Sequence, residues 1–184
     1  MAVVMVQVLT FFLLVLCAGC AAHGPTALFS GYSAENTAVC FTKPAEIPSI
    51  VERFYASRDL TTESGKIDYL IERVRSANVT FVRNSEKFKG DHAADFLRWK
   101  LNRLRTRYGV KVETAQDFVS KIASGSRKSG KPYVVVLSDR SRYSLGQILQ
   151  NELNQLELCL QLLTQAGGKA LPQGTVISPG ARKP

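Results

Sequence analysis

Residues 78–90, NVTFVRNSEKFKG, decide the fold class. Val79 and Phe81 alternate with Thr80 and Val82, the period of a strand with one buried face, before the polar pair Asn84-Ser85 interrupts the run. The spacing predicts a short hairpin ending at Phe88. Just before it, Ile67, Leu70, Ile71 and Val74 fall at i, i+3, i+4 and i+7, which is one apolar helix face; Asp68, Glu72, Arg73 and Arg75 are assigned to the polar face. Just after it, Asp91 reads as an N-cap, and Ala93, Phe96, Leu97, Leu101 and Leu104 line a second helix that Gly109 stops.

The same order recurs downstream. Thr114 and Asp117 form a capping box with Asp in the usual Glu position, opening a helix through Phe118, Val119 and Ile122 to Gly125. The apolar run YVVVL (133–137) reads as the most buried strand, a turn follows at Asp139-Arg140, and Ser144 caps a final long helix. Helix, hairpin, helix thus appears over 66–107 and again over 114–165, the outline of a pseudo-repeat. The expected fold is α+β: a small antiparallel sheet of short hairpins packed against four to five helices, one of them a short helix around Ile50, Val51, Phe54 and Tyr55. In the last helix Leu149, Leu153, Leu156, Leu160 and Leu163 keep the rhythm of a coiled-coil seam. That seam is short, and Leu145, Ile148, Leu158 and Leu162 widen the stripe, so packing on its own domain is favoured over a dimer.

At 184 residues the chain suits one domain with one core. Residues 1–22 are apolar and small apart from Gln7 and Thr10, and the first charged residue is Glu35. This predicts a cleaved export signal and a periplasmic or envelope-associated protein, with lipidation at Cys20 and a retained anchor as competing readings. Residues 23–48 read as a flexible arm, 49–166 as the domain and 167–184 as a disordered tail. With Cys17 and Cys20 in the leader, Cys40 and Cys159 remain as a candidate disulfide, against a reading of Cys159 as a small buried side chain.

The chain carries a net charge of +9, and that excess is local. Between residues 98 and 142 twelve Lys or Arg face three acidic residues, Glu113, Asp117 and Asp139. Arg98, Lys100, Arg103, Arg105 and Arg107 surround the single Trp99, although helical periodicity spreads them around the helix. The segment GSRKSGKP (125–132) matches G-x-x-x-x-G-K but precedes a strand and has Pro132 where a nucleotide loop needs a hydroxyl. It reads as a flexible cationic turn carrying Arg127, Lys128 and Lys131. His92, beside Asp91 and near Asp95, is the one candidate acid or base in the folded region, and a solvent-facing first-turn histidine is the favoured reading. No zinc spacing and no nucleophile elbow occurs, so neither a metal nor a cofactor is expected.

Four segments, TFVRN (80–84), FLRWK (96–100), ETAQDFVSKIAS (113–124) and SGKPY (129–133), together resemble the YfeK-like family of small exported bacterial proteins, a domain of unknown function. The resemblance runs from about residue 65 to 156. It implies a bacterial envelope protein and carries over no catalytic residues; Arg83, Asn84, Arg98, Lys100, Thr114 and Lys131 are motif positions. Ser85 stands where the family commonly has a turn glycine, and Phe96 where a histidine often precedes Leu-Arg. The resulting expectation is a non-enzymatic module that binds a protein partner or an anionic envelope component through Arg98, Arg103, Arg127, Lys128 and Lys131. A hydrolase acting on an anionic substrate is the alternative, and nucleic acid suits the charge but not the expected address.

Overall fold

The computed structural model describes residues 30–32, 38–40 and 47–165, with side chains from Val51 onward; the stretches expected as a leader with Cys20 and as a tail lie outside them. The elements are β1 (Ser30–Tyr32), β2 (Ala38–Cys40), α1 (Ile47–Tyr55), α2 (Glu63–Ser76), β3 (Thr80–Arg83), β4 (Glu86–Phe88), α3 (Gly90–Tyr108), α4 (Ala115–Asp117) running into a π-helix (Phe118–Ala123), β5 (Val134–Val136), β6 (Arg142–Ser144) and α5 (Leu145–Gln165). This is an α+β fold. Strands β4-β3-β5-β6, in that order, form one antiparallel sheet. Part of the stretch expected as a flexible arm is paired: β1 and β2 form a separate antiparallel hairpin, and β1 lies against α5 and β6.

The repeated order survives in three dimensions. Two units, α2-β3-β4-α3 and π-helix-β5-β6-α5, meet through the antiparallel pair β3–β5, where Phe81 opposes Val135. Phe88 opposes Phe81 on one side and Tyr143 opposes Val135 on the other, so four bulky residues form one row across the helix-covered face. Helix α2 packs on α3 within the first unit, and the π-helix packs on α5 within the second. The expected continuous burial of 133–137 resolves into alternation: Tyr133, Val135 and Leu137 are buried, while Val134 and Val136 are half-buried. Helices cover one face of the sheet, and the pleat sends alternate side chains to the other.

Several local readings change. Gly90 opens α3 behind Lys89, and Asp91 sits in the first turn, where its carboxylate accepts the His92 amide at 2.8 Å and is held below its ordinary pKa by that bond. Thr114 accepts from the Asp117 amide as expected, but Asp117 reaches back to the Glu113 amide, and the helix widens into π geometry after Asp117. Arg73, assigned to the polar face of α2, is 3 % exposed and pairs with Glu152. Four of the five seam leucines, Leu149, Leu153, Leu156 and Leu163, are buried in the chain's own core, each fully buried leucine contributing roughly 1.5–3 kcal/mol. Cys159 is a free thiol, fully buried on α5, and burial pushes its pKa up to about 11; the side chain of Cys40, its expected bridge partner, lies outside the described ones.

The β3–β4 turn shows the consequence of the missing glycine. Asn84 (φ 50°) and Ser85 (φ 74°) are both left-handed, the arrangement of a tight primed hairpin turn. Asn tolerates this; Ser does not, at a cost of about 1–2 kcal/mol for an L-residue. Ser85→Gly is therefore expected to raise the stability by about 0.5–1 kcal/mol after the added chain entropy of glycine, read as a higher urea midpoint at unchanged m-value.

Candidate functional site

Helix α3 spreads its cations as its periodicity requires, and their partners differ. Arg98 pairs with Asp68 of α2 at 2.9 Å, and Arg105 donates to the Val112 carbonyl, bracing the 109–113 loop. Arg103 lies over two rings of its own helix, Trp99 at 5.2 Å and Tyr108 at 5.9 Å from the ring centroids. Arg127, arriving from the 125–132 loop, lies over the same Tyr108 ring at 5.8 Å. Trp99 and Tyr108 are about half exposed, at 53 % and 54 %. Arg98 therefore faces α2, while Arg103 and Arg127 share a surface with exposed Lys128 and Lys131 at its loop edge.

The surface continues inward. Phe96 is 5.7 Å from Trp99 and meets Tyr133 edge-on at 5.9 Å. The Arg83 guanidinium lies 4.0 Å over Phe96 and 5.2 Å over Phe88. Lys100 lies 4.9 Å over the Tyr133 ring. Cations and rings thus alternate in one contiguous ladder, each contact worth about 0.5–2 kcal/mol depending on exposure. Its one carboxylate among the described residues is exposed Glu86, 3.6 Å from Arg83.

Lys100, read from sequence as one of the cations around Trp99 and left out of the binding set, is the buried member. It is 6 % exposed, and its ammonium donates to the Ile122 carbonyl at 2.6 Å, the Gly125 carbonyl at 2.7 Å and the Tyr133 hydroxyl at 3.2 Å. Burial, with Arg127 and Arg83 as like charges nearby, lowers its pKa to about 8. Its signal was present: Lys100 stands three residues after Leu97 and four before Leu104, inside the apolar stripe. The loop it grips, read from sequence as a flexible cationic turn, is hydrogen-bonded within itself. Gly125 bridges Pro132, the Ser126 amide donates to the Lys131 carbonyl at 2.9 Å, and the Gly130 amide returns to the Ser126 carbonyl at 2.8 Å. At the tip, the Ser129 hydroxyl donates to Asn84 of the β3–β4 turn at 2.7 Å.

His92 is exposed at the first turn of α3, one turn before Phe96. Among the described residues no group of His, Cys, Asp and Glu could hold a metal, and no helix is long and apolar enough to cross a membrane. The cavity under the ladder, lined by Phe81, Arg83, Phe96 and Tyr133 among others, holds about 30 Å³. That is space for a water, not for a substrate. A groove of about 1130 Å³ runs between α1 and the end of α5, but its Lys66 pairs with Glu63 and with Glu157, leaving it little net charge for an anion.

The four segments that carry the resemblance, far apart in sequence, converge here: Arg83 and Asn84 from the first, Phe96 and Lys100 from the second, Ile122 from the third, Ser129 and Tyr133 from the fourth. The chain belongs to a family of unknown function, DUF5329, whose model matches residues 61–157. A particular relative is the "Uncharacterized protein YfeK" of Salmonella typhimurium strain LT2, 35 % identical over 72 residues that make up 39 % of this chain and 57 % of that protein. The chain thus spans little more than half the length of that relative. No solved structure matches.

Proposed function

We propose that this protein is a binding module whose ladder face takes an anionic partner, a protein or an anionic component of the bacterial envelope. One observation carries the reading: Arg103 and Arg127 are laid over half-exposed rings, with no carboxylate at ion-pair distance among the described residues. A guanidinium held flat on a ring keeps its N–H edge free and loses little side-chain entropy when it meets a carboxylate or phosphate. The cavity beneath this face holds only about 30 Å³, which suits an extended or flat partner better than a small molecule under chemical attack. Trp, Tyr and Arg are also the residue types that dominate binding energy at protein surfaces.

Heparin serves as a soluble polyanion probe. The protein should bind it at low salt and release it steeply as ionic strength rises, because exposed charges are screened over about 8 Å at physiological salt. Arg127→Glu with Lys128→Glu should weaken binding by at least about tenfold while stability stays within about 0.5 kcal/mol, since both residues are exposed in a loop. Unchanged binding by a folded double variant, or salt-insensitive binding by the native protein, defeats the proposal.

A further inference from the structure

We propose that Lys100 is the positioning residue of the ladder: its amine, reaching through the core from α3, holds by hydrogen bonds the end of the π-helix and the root of the 125–132 loop, and so sets Arg127 against Tyr108. The proposal takes the ladder as the binding face for its binding readout alone; the structural readout is independent of that reading.

The geometry leaves Lys100 no other work. All three ammonium donors are engaged, by two main-chain carbonyls and the Tyr133 hydroxyl, and the side chain is buried. At 6 % exposure the amine is closed to an external ligand. The Ile122 and Gly125 carbonyls lie at the C-terminal end of the π-helix, where the last main-chain carbonyls lack intrahelical donors. An apolar residue in its place would leave both carbonyls short of a donor in a largely dry site. The loop is therefore fastened at two points, its root by Lys100 and its tip by the Ser129–Asn84 bond, with Arg127 between them.

The charged and titratable groups facing Lys100 are Arg83 from β3, Arg127 from the loop and Tyr133 from β5. Lys121, on the π-helix, turns away to Asp117 at 2.6 Å, and Arg103, on α3, lies over Trp99 and Tyr108. The Tyr133 hydroxyl, its pKa raised by burial, stays neutral over the range of interest. Opening the loop would return the amine to water and to the ordinary lysine pKa. The closed form binds its proton less tightly than the open form, so closure is progressively favoured as pH rises from about 8 toward about 10.5 and is pH-independent below that window.

Amide hydrogen exchange of peptides spanning 123–133, corrected for intrinsic rates, tests this between about pH 6.5 and about pH 9.5. In the native protein the loop-opening constant should be flat up to about pH 8 and then fall by about tenfold by about pH 9.5. Lys100→Arg, whose charge does not titrate, should remove that fall. Lys100→Met should open the loop at least about tenfold more often at every pH and weaken heparin binding, although the buried Lys100 is no part of the exposed face. Tyr133→Phe, removing one acceptor, should loosen the loop less than Lys100→Met does. A native profile flat through pH 8, or a pH-dependent fall that persists in Lys100→Arg, overturns the proposal. Should Lys100→Met fail to fold, the native and Lys100→Arg profiles still decide. A native protein that ignores heparin sinks the binding reading, while the exchange profiles still decide whether Lys100 fastens the loop.

Discussion

Replacing Arg73 by Leu is expected to lower the folding stability by about 3–5 kcal/mol, because it removes the guanidinium paired with a carboxylate that stays buried in the core. Glu152 is fully buried on α5, accepts from the Arg73 guanidinium and receives the Tyr69 hydroxyl at 3.1 Å. Both partners come from α2, so this network ties the first helix of one unit to the last helix of the other. Domains of this size are stable by only about 5–15 kcal/mol, which makes the loss a large fraction of the total. Urea unfolding of Arg73→Leu, Glu152→Leu and the double variant separates pair from charge. The double variant should regain more than half of the stability that Arg73→Leu loses, since a buried pair replaced by apolar groups is often near neutral. Single variants within about 1 kcal/mol of the native protein would show that water reaches the site.

Gly90→Ala is expected to destabilise by about 2–3 kcal/mol, against the sign of helix propensity, which favours alanine by about 1 kcal/mol. A β-carbon at this first residue of α3 would stand 2.5 Å from the Val74 carbonyl oxygen, 2.7 Å from that of Arg75 and 2.9 Å from that of Ala77. All three are main-chain atoms at the end of α2, so relief requires the two helices to separate rather than a side chain to swing. The measurement is a thermal or urea midpoint. A gain in stability on substitution would mean that α2 and α3 do not approach as closely as described.

The local chemistry of the hairpins was legible in sequence because it depends on neighbours only. Alternation at 79–82 and the Asn84-Ser85 pair specify a strand and a tight turn whatever packs on them, and Gly109 stops α3 in the left-handed conformation (φ 60°) that its position requires. The leucines of α5 likewise announced a buried face. Reading failed where a polar residue lies within such a face. Arg73, Lys100 and Glu152 each occupy a position with apolar spacing, but a charge in a stripe reads locally as a helix edge. Its burial is tolerable only if a partner waits on another element.

Sequence by itself determined that this chain forms two helix-hairpin-helix units with a cationic segment spanning α3 and the loop after the π-helix, because periodicity, turn residues and charge count are properties of short windows. The tertiary structure alone decided which cations count. By antiparallel pairing of β3 with β5 it brought Arg83 and Tyr133 to neighbouring positions on one face, turned Arg98 toward Asp68, buried Lys100 against the carbonyls of Ile122 and Gly125, and left Arg103 and Arg127 over exposed rings. The physical reason is that a cation's fate is set by the dielectric and the acceptors around it, and both are supplied by residues tens of positions away along the chain.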